Sequence, residues 1–291
     1  MTLAIAGLLA ATALATPPTE ITPTRAALAQ AMDGHAIVLL GEVHDNATQH
    51  ALRAAALRQW IAQGARPAIA FEQFDRERQP DIDRARRERP GDADYLVAQA
   101  AGRGDWDWDA YRPFIALALE YDLPIVAANL SRGDAMRVAI EGWQAVFNAT
   151  ARKALALNSL PADFRRKHED AIAAGHCNLL PHKALPAQAR AQMARDLVMA
   201  QSIRPYVERG VVLLAGNGHV RRDVGVPFWL TPGERKRAVS IGLLEREIGG
   251  DPSSAGSATP FDVIVITERA ERSDPCIDLA KHFKAGRHQG E

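Results

Sequence analysis

Apolar residues gather in short runs, and the runs end on polar residues. Ile37-Val38-Leu39-Leu40 leads into Gly41-Glu42-Val43-His44-Asp45-Asn46, and Ala68-Ile69-Ala70-Phe71 leads into Glu72 and Gln73. Leu123 to Ala128 ends on Asn129, and Gly210 to Ala215 ends on Gly216-Asn217-Gly218-His219. Runs this short, rich in Leu and β-branched residues, predict strands of a parallel sheet covered on both faces. Ala238 to Leu244 and Phe261 to Thr267 alternate in part and read as two last strands. In open α/β sheets, ligands bind beyond the carboxyl ends of the strands. The polar residues at several strand ends therefore point to one cleft.

Helical patterns fill the intervals. Thr24 is the expected N-cap of a short helix to Met32, stopped by Asp33-Gly34. A second helix starts after Asp45, Asn46 or Thr48 as cap; Leu52, Ala56 and Trp60 form its apolar stripe, widened by Leu57 and Ile61. With its flanking strands it makes a β-α-β unit, for which a right-handed crossover is expected. Residues 74–105 are highly charged and read as solvated helix or loop. Asp109 is the expected cap of a helix from Tyr111 to Tyr121, with Pro113 in its first turn. Residues 131–206 show no strand and read as helices near 134–149, 164–174 and 187–203. An excursion of that length between strands is often a lid or a binding element.

The 291 residues are 47% hydrophobic, enough for one large core. Lys+Arg 35 balances Asp+Glu 35, so no overall field favours nucleic acid. Leu3 to Leu14 followed by Ala13-Leu14-Ala15 reads as a secretory signal cleaved after Ala15, too short to span a bilayer. No Lys or Arg precedes the run, and no cysteine near the cleavage point suggests a lipid anchor. The expected product is soluble and periplasmic. Its organisation reads as signal 1–15, linker and helix 16–34, one α/β domain 35–270 with a helical insertion 131–206, and a polar tail 271–291. The two cysteines, Cys177 and Cys276, read either as one disulfide or as unrelated buried thiols.

Candidate chemistry centres on Glu42, His44, Glu72 and His219, with Asp45, Asn46, Asn129 and Asn217 nearby. Two imidazoles and two carboxylates suit a divalent transition metal with open positions. They suit metal-free acid–base work equally well. The bland alternative is that they satisfy backbone amides at the strand ends. His50 either joins this cleft or sits on the surface. Arg221 and Arg222 read as a carboxylate or phosphate clamp, or as a solvated turn. His176 and Cys177 are candidate metal or haem-iron ligands.

Gly41-Glu42-Val43-His44-Asp45-Asn46, Phe71-Glu72, Ala127-Ala128-Asn129-Leu130, His176-Cys177 and the run from Ala215 to Pro227 resemble the signatures of the ChaN-type haem-binding proteins. That family sits in a superfamily with the Tiki and TraB proteins and erythromycin esterases. The resemblance implies a three-layer α/β/α fold with a central, mostly parallel sheet and a large helical insertion. It implies haem as ligand and association with iron uptake. Haem needs an axial ligand, an apolar slot and cations for its propionates. The ligand candidates are His176, Cys177, His168, His182 and Tyr206, and Arg221 and Arg222 are the cations. Hydrolytic members of the superfamily use Glu and His at positions similar to Glu42, His44, Glu72 and His219. The missing lipid-anchor cysteine departs from many family members. Two functions remain open, a haem-binding protein and a hydrolase, and a homodimer is open with them.

Overall fold

Seven strands build one sheet in which every neighbouring pair is parallel: β1 (Thr19–Ile21), β2 (Ile37–Leu40), β3 (Ala68–Asp75), β4 (Ile125–Asn129), β5 (Val211–Leu214), β6 (Ala238–Glu245) and β7 (Val263–Thr267). Their order across the sheet is β1-β7-β6-β2-β5-β3-β4. The computed structural model describes residues 17–102, 104, 106–246, 260–274, 276–277 and 279–281. The expected signal, 1–15, lies outside them.

The described helices are α1 (Arg25–Met32), α2 (Ala47–Ala62), α3 (Gln79–Glu88), α4 (Ala93–Ala100), α5 (Trp108–Glu120), α6 (Arg132–Glu141), α7 (Ala149–Ala154), α8 (Ala162–Gly175), α9 (Leu185–Ile203) and three short ones, α10 (Asn217–Val220), α11 (Val226–Trp229) and α12 (Pro232–Lys236). Strand side chains alternate between faces. Val38, Leu40, Val212 and Leu214 therefore pack with Leu28, Leu57, Ile61 and Phe114 of α1, α2 and α5. Ile37, Leu39, Val211 and Leu213 pack with Met193, Leu197 and Ala200 of α9. These two cores make the expected three layers.

Register fixes where the site sits. Leu40 lies opposite Leu214 and Ile241, and Phe71 opposite Leu214. The polar residues after β2, β5 and within β3 thus leave the sheet at one level.

Several expectations change. The stretch expected as a linker contains β1, which pairs Thr19 with Val263 of β7. Its three residues carry no run of their own, so only the partner strand makes it a strand. β3 continues through Glu72 to Asp75, with an irregularity against β4 after Phe71. The helix expected over 134–149 stops at Gly142, whose φ of 92° no helix tolerates. Asp107, not Asp109, holds the cap position of α5, with no side-chain bond; Asp109 lies in its first turn. The charged stretch 74–105 folds into α3 and α4. The start of the expected polar tail is anchored: Arg272 reaches Asp45 at 3.0 Å, and Cys276 is disulfide-bonded to Cys177, Cα atoms 5.6 Å apart.

Candidate functional site

Glu42 follows β2 directly and is buried. Arg53 of α2 forms an ion pair with its Oε2, and the Tyr111 hydroxyl of α5 donates to its Oε1 at 2.5 Å. His44 Nδ1 donates to the same Oε1 at 2.8 Å. That bond assigns the Nδ1 proton and leaves Nε2 unprotonated beside Gly216 and Glu72, on a side chain 44% exposed. His50 stands behind: Nε2 donates to the His44 carbonyl at 2.8 Å, and burial pushes its pKa down. Burial also pushes the Tyr111 phenol up and lowers the Arg53 guanidinium to about 10, which keeps it charged at neutral pH. Gly41 has no room for a side chain, because a Cβ would collide with Asn217 and Val220.

A second knot forms around His219 of α10. Its Nε2 lies 3.3 Å from Glu72 Oε1, and its Nδ1 lies 2.5 Å from Asp196 Oδ1 of α9. Gly216 N donates to Glu72 Oε2 at 2.7 Å. Burial alone would lower the His219 pKa, but the Glu72 and Asp196 carboxylates raise it to about 10. Burial alone would raise Glu72, but the His219 cation and, more weakly, His44 pull it down to about 2. Asp196 stays raised, because burial outweighs its contact with His219. His44 Nε2 is 4.0 Å from Glu72 Oε1, so the two knots touch. Glu42, His44, Glu72 and His219 therefore share one cleft.

These shifts set a pH profile. Glu72 is depressed, so its contribution is present above about pH 4.5 and is lost as pH falls toward about 2. His219 is raised, so its contribution is complete below about pH 6.5 and is lost as pH rises through about 10. Denaturation free energy should therefore decline on the alkaline side, and His219→Gln should flatten that decline. An unchanged alkaline limb in His219→Gln would assign the decline to other groups.

The neighbours are structural. Asn46 caps α2 through Gln49 N at 3.0 Å and donates to Glu245 and to the Glu268 carbonyl. Asn129 donates to the Glu72 carbonyl at 2.8 Å. Asn217 clamps both backbone groups of Leu243. Asp45 pairs with Arg272.

The expected divalent metal site does not take shape. Among the described residues no group of three or more His, Cys, Asp or Glu is placed to hold a metal ion. The physical reason is that Glu42 is neutralised by Arg53, and Glu72 by His219. Several haem expectations also shift. Cys177 is spent in the disulfide. Arg221 makes a two-pronged pair with Asp223 at 2.9 and 2.8 Å, and Arg222 pairs with Asp262 at 2.6 Å, so neither is an open clamp. His176 Nδ1 donates to the Ile172 carbonyl at 2.8 Å, closing the C-terminal end of α8. His168 is buried edge-on to Phe164. His182 is exposed, and Tyr206 precedes β5 and so belongs to the opposite edge of the sheet.

A cavity of about 1110 Å³ opens beyond the ends of β3 and β4. Trp106 and Met136 give it an apolar side, and Gln73, Arg78 and Arg195 a polar one. Trp106 stands edge-on to His44, ring centroids 5.1 Å apart, so cavity and cleft adjoin.

Sequence reading missed Arg53, Tyr111, Asp196 and Arg195. A signal for two of them exists. Arg53 falls at i, i+3, i+4 and i+7 with Ala56, Leu57 and Trp60, inside the buried stripe of α2. Asp196 is likewise flanked by Met193, Leu197 and Ala200 on the buried stripe of α9. A charge within such a stripe needs a partner.

A parallel three-layer α/β protein with two buried, charge-compensated Glu–His knots at the carboxyl edge of its sheet is the class that fold and cleft define. The chain belongs to the haem-binding uptake family ChaN of the Tiki superfamily, which matches residues 28–230. Its fold is similar to that of ChaN of Campylobacter jejuni, solved with cofacial heme binding: TM-score 0.59, 23% identity, 74% of this chain and 84% of that one. An erythromycin esterase in its open conformation matches at TM-score 0.43 and 13% identity, over 75% of this chain and 72% of that one. The type III effector HopBA1 matches at 0.46 and 12%, over 87% and 97%. No curated protein matches the chain.

Proposed function

We propose that this protein binds haem in the cavity beside the Glu42–His44 cleft, as a haem-uptake protein outside the cytoplasm. The observation that carries the reading is the cavity's make-up. It is about 1110 Å³, in the range of ligand sites and above, and is lined by Trp106 and Met136, by Arg132 and Arg195, and by Asp75, Glu77 and Asp134. Trp106 and Met136 offer the apolar surface, and Arg132 and Arg195 the propionate cations, that haem requires. His44 adjoins the cavity through Trp106: Glu42 holds its Nδ1, and Nε2 is the nitrogen left without a proton. His44 would hold the haem iron through that nitrogen. The disulfide supports an oxidising compartment.

Adding haem to the purified mature protein should give a saturable Soret band, and His44→Ala should shift or weaken it. Absence of any Soret change in the unaltered protein would overturn the reading. Periplasmic residence, the iron-uptake role and a homodimer belong to the same proposal. Fractionation, growth on haem as iron source and light scattering test them in turn.

One observation favours a hydrolase as second reading. Glu42 orients His44 so that Nε2 can take a proton, across from the cationic His219. The pair serves this reading with or without a metal. Ester turnover that vanishes in His44→Ala would support it, and its loss in chelator would mark the metal-dependent version; no turnover in the unaltered protein would refute it.

A further inference from the structure

The helical insertion holds a cavity of its own. It measures about 300 Å³, at the lower end of ligand pockets, and shares no lining residue with the cavity beyond β3 and β4. Its walls are the turn after α6, the segment between α7 and α8, and facing residues of α8 and α9. Trp143, Leu157, Leu160 and Met193 line it, and all four are buried members of the core on that side of the sheet. Gln144, Asn158 and Arg165 are exposed and mark its mouth. Protein interiors leave few gaps larger than a water molecule, so core side chains around an open space of this size point to an occupant.

Charge of both signs stands around the apolar floor without a partner. The α8 neighbours Asp163 and Arg166 pair with each other. The side chains of Arg165 and Glu169, one turn apart on the same helix, make no hydrogen bond or ion pair among the described residues. A base one turn ahead of its acid is the weaker order for such a pair. Arg190 of α9 reaches the Val138 and Ala139 carbonyls through Nη1 at 3.5 Å, longer than the usual hydrogen bond, and meets no carboxylate of the described residues within ion-pair distance. Its Nε and Nη2 stay unused. Unpaired charges are ordinary on open surface. A few of them converging over an apolar pocket are what orients a small ligand.

We propose that this pocket of the insertion binds a free α-amino acid with an apolar side chain. Arg165 and Arg190 take the carboxylate, Glu169 takes the ammonium group, and the side chain rests on Trp143, Leu157, Leu160 and Met193. The charges select among ligands of that size. A purely apolar molecule leaves all three charges unused. A monocarboxylate leaves Glu169 unpaired, and an amine leaves both guanidinium groups unpaired. A dianion meets the Glu169 carboxylate as a repulsive element. A zwitterion satisfies both signs and adds no net charge. The site is independent of the haem reading, because it shares no residue with the cleft or its cavity.

Calorimetric titration of the whole protein with leucine tests this. Three analogues accompany it: N-acetyl-leucine lacks the ammonium charge, leucinamide lacks the carboxylate, and serine lacks the apolar side chain. Leucine should bind at least about tenfold more tightly than each, the scale of one hydrogen bond to a charged group or one buried apolar side chain. Glu169→Gln should lose about tenfold for leucine and nothing for N-acetyl-leucine, which brings no ammonium group to that carboxylate. Arg190→Met should lose for leucine and not for leucinamide. Thermal melting monitors the fold; should Arg190→Met destabilise it, Arg165→Ala at the exposed mouth carries the same comparison. Saturation with haem should leave leucine binding unchanged. If the unaltered protein binds no leucine, the proposal is overturned. It is overturned equally if N-acetyl-leucine or leucinamide binds as tightly as leucine, or if haem and leucine compete.

Discussion

Replacing Arg53 by methionine should cost about 3–5 kcal/mol, the usual effect of removing one partner from a buried ion pair. Arg53 and Glu42 side chains are both fully buried and face each other. Methionine fills much of the volume but leaves the Glu42 carboxylate with Tyr111 and two histidines as company. It also removes the donor that holds the Leu40 carbonyl at 3.2 Å. Domains of ordinary stability hold about 5–15 kcal/mol in total, so the variant should sit near its unfolding threshold. Urea denaturation measures the loss. Adding Glu42→Gln to the same chain should recover part of it, since the orphaned charge disappears. A loss under about 1 kcal/mol in the single variant would show that the histidines take over as counter-charge.

Removing the Cys177–Cys276 bridge should have an effect of similar size. The bond spans a sequence separation of 99, for which chain entropy gives about 4.7 kcal/mol. The double Cys→Ser variant should melt roughly 10 °C lower, at a few degrees per kcal/mol for a domain of this size. The same bond explains why the chain after β7 stays docked. Arg272 bonds Asp45 and Glu245, and Ala270 N donates to Glu245 at 3.0 Å; of these the pair with the exposed Asp45 contributes little alone. Non-reducing mass spectrometry should find no free thiol in protein purified from an oxidising compartment. An unchanged melting temperature on full reduction would show that the unfolded chain gains little freedom from losing the bridge.

Most of the sheet was legible, because a strand covered on both faces must be a continuous apolar run. β2, β3, β4 and β5 announce themselves in that way, and the residues beyond them carry Glu42, Glu72 and His219 into the cleft. β1 was not legible: Thr19-Glu20-Ile21 is too short for a pattern, and its pairing with β7 is a property of the whole chain. Partners from helices were harder. An arginine in a helix is usually solvated, so Arg53 and Arg195 read as surface until the packing direction of α2 and α9 is known. Arg221 and Arg222 show the reverse error. Adjacent arginines suggest a clamp, but Asp223 lies two positions on and Asp262 forty, and only the second needs the fold to bring it near. Gln73 had no signal at all, since an amide after a strand is equally at home in a turn.

The register at the middle of the sheet has a consequence for how the molecule comes into being. Leu40 lies beside Leu214, 174 positions further along the chain. Contacts this distant along the chain form late and slowly, because a long segment must be ordered before they are rewarded. Glu72 waits in an early part of the chain for Gly216 and His219 to arrive. β6, which flanks β2 on the other side, comes later still. A nascent chain therefore carries no cleft until its last third has been made. No amino-terminal fragment ending before β5 should bind anything there, however well its helices form.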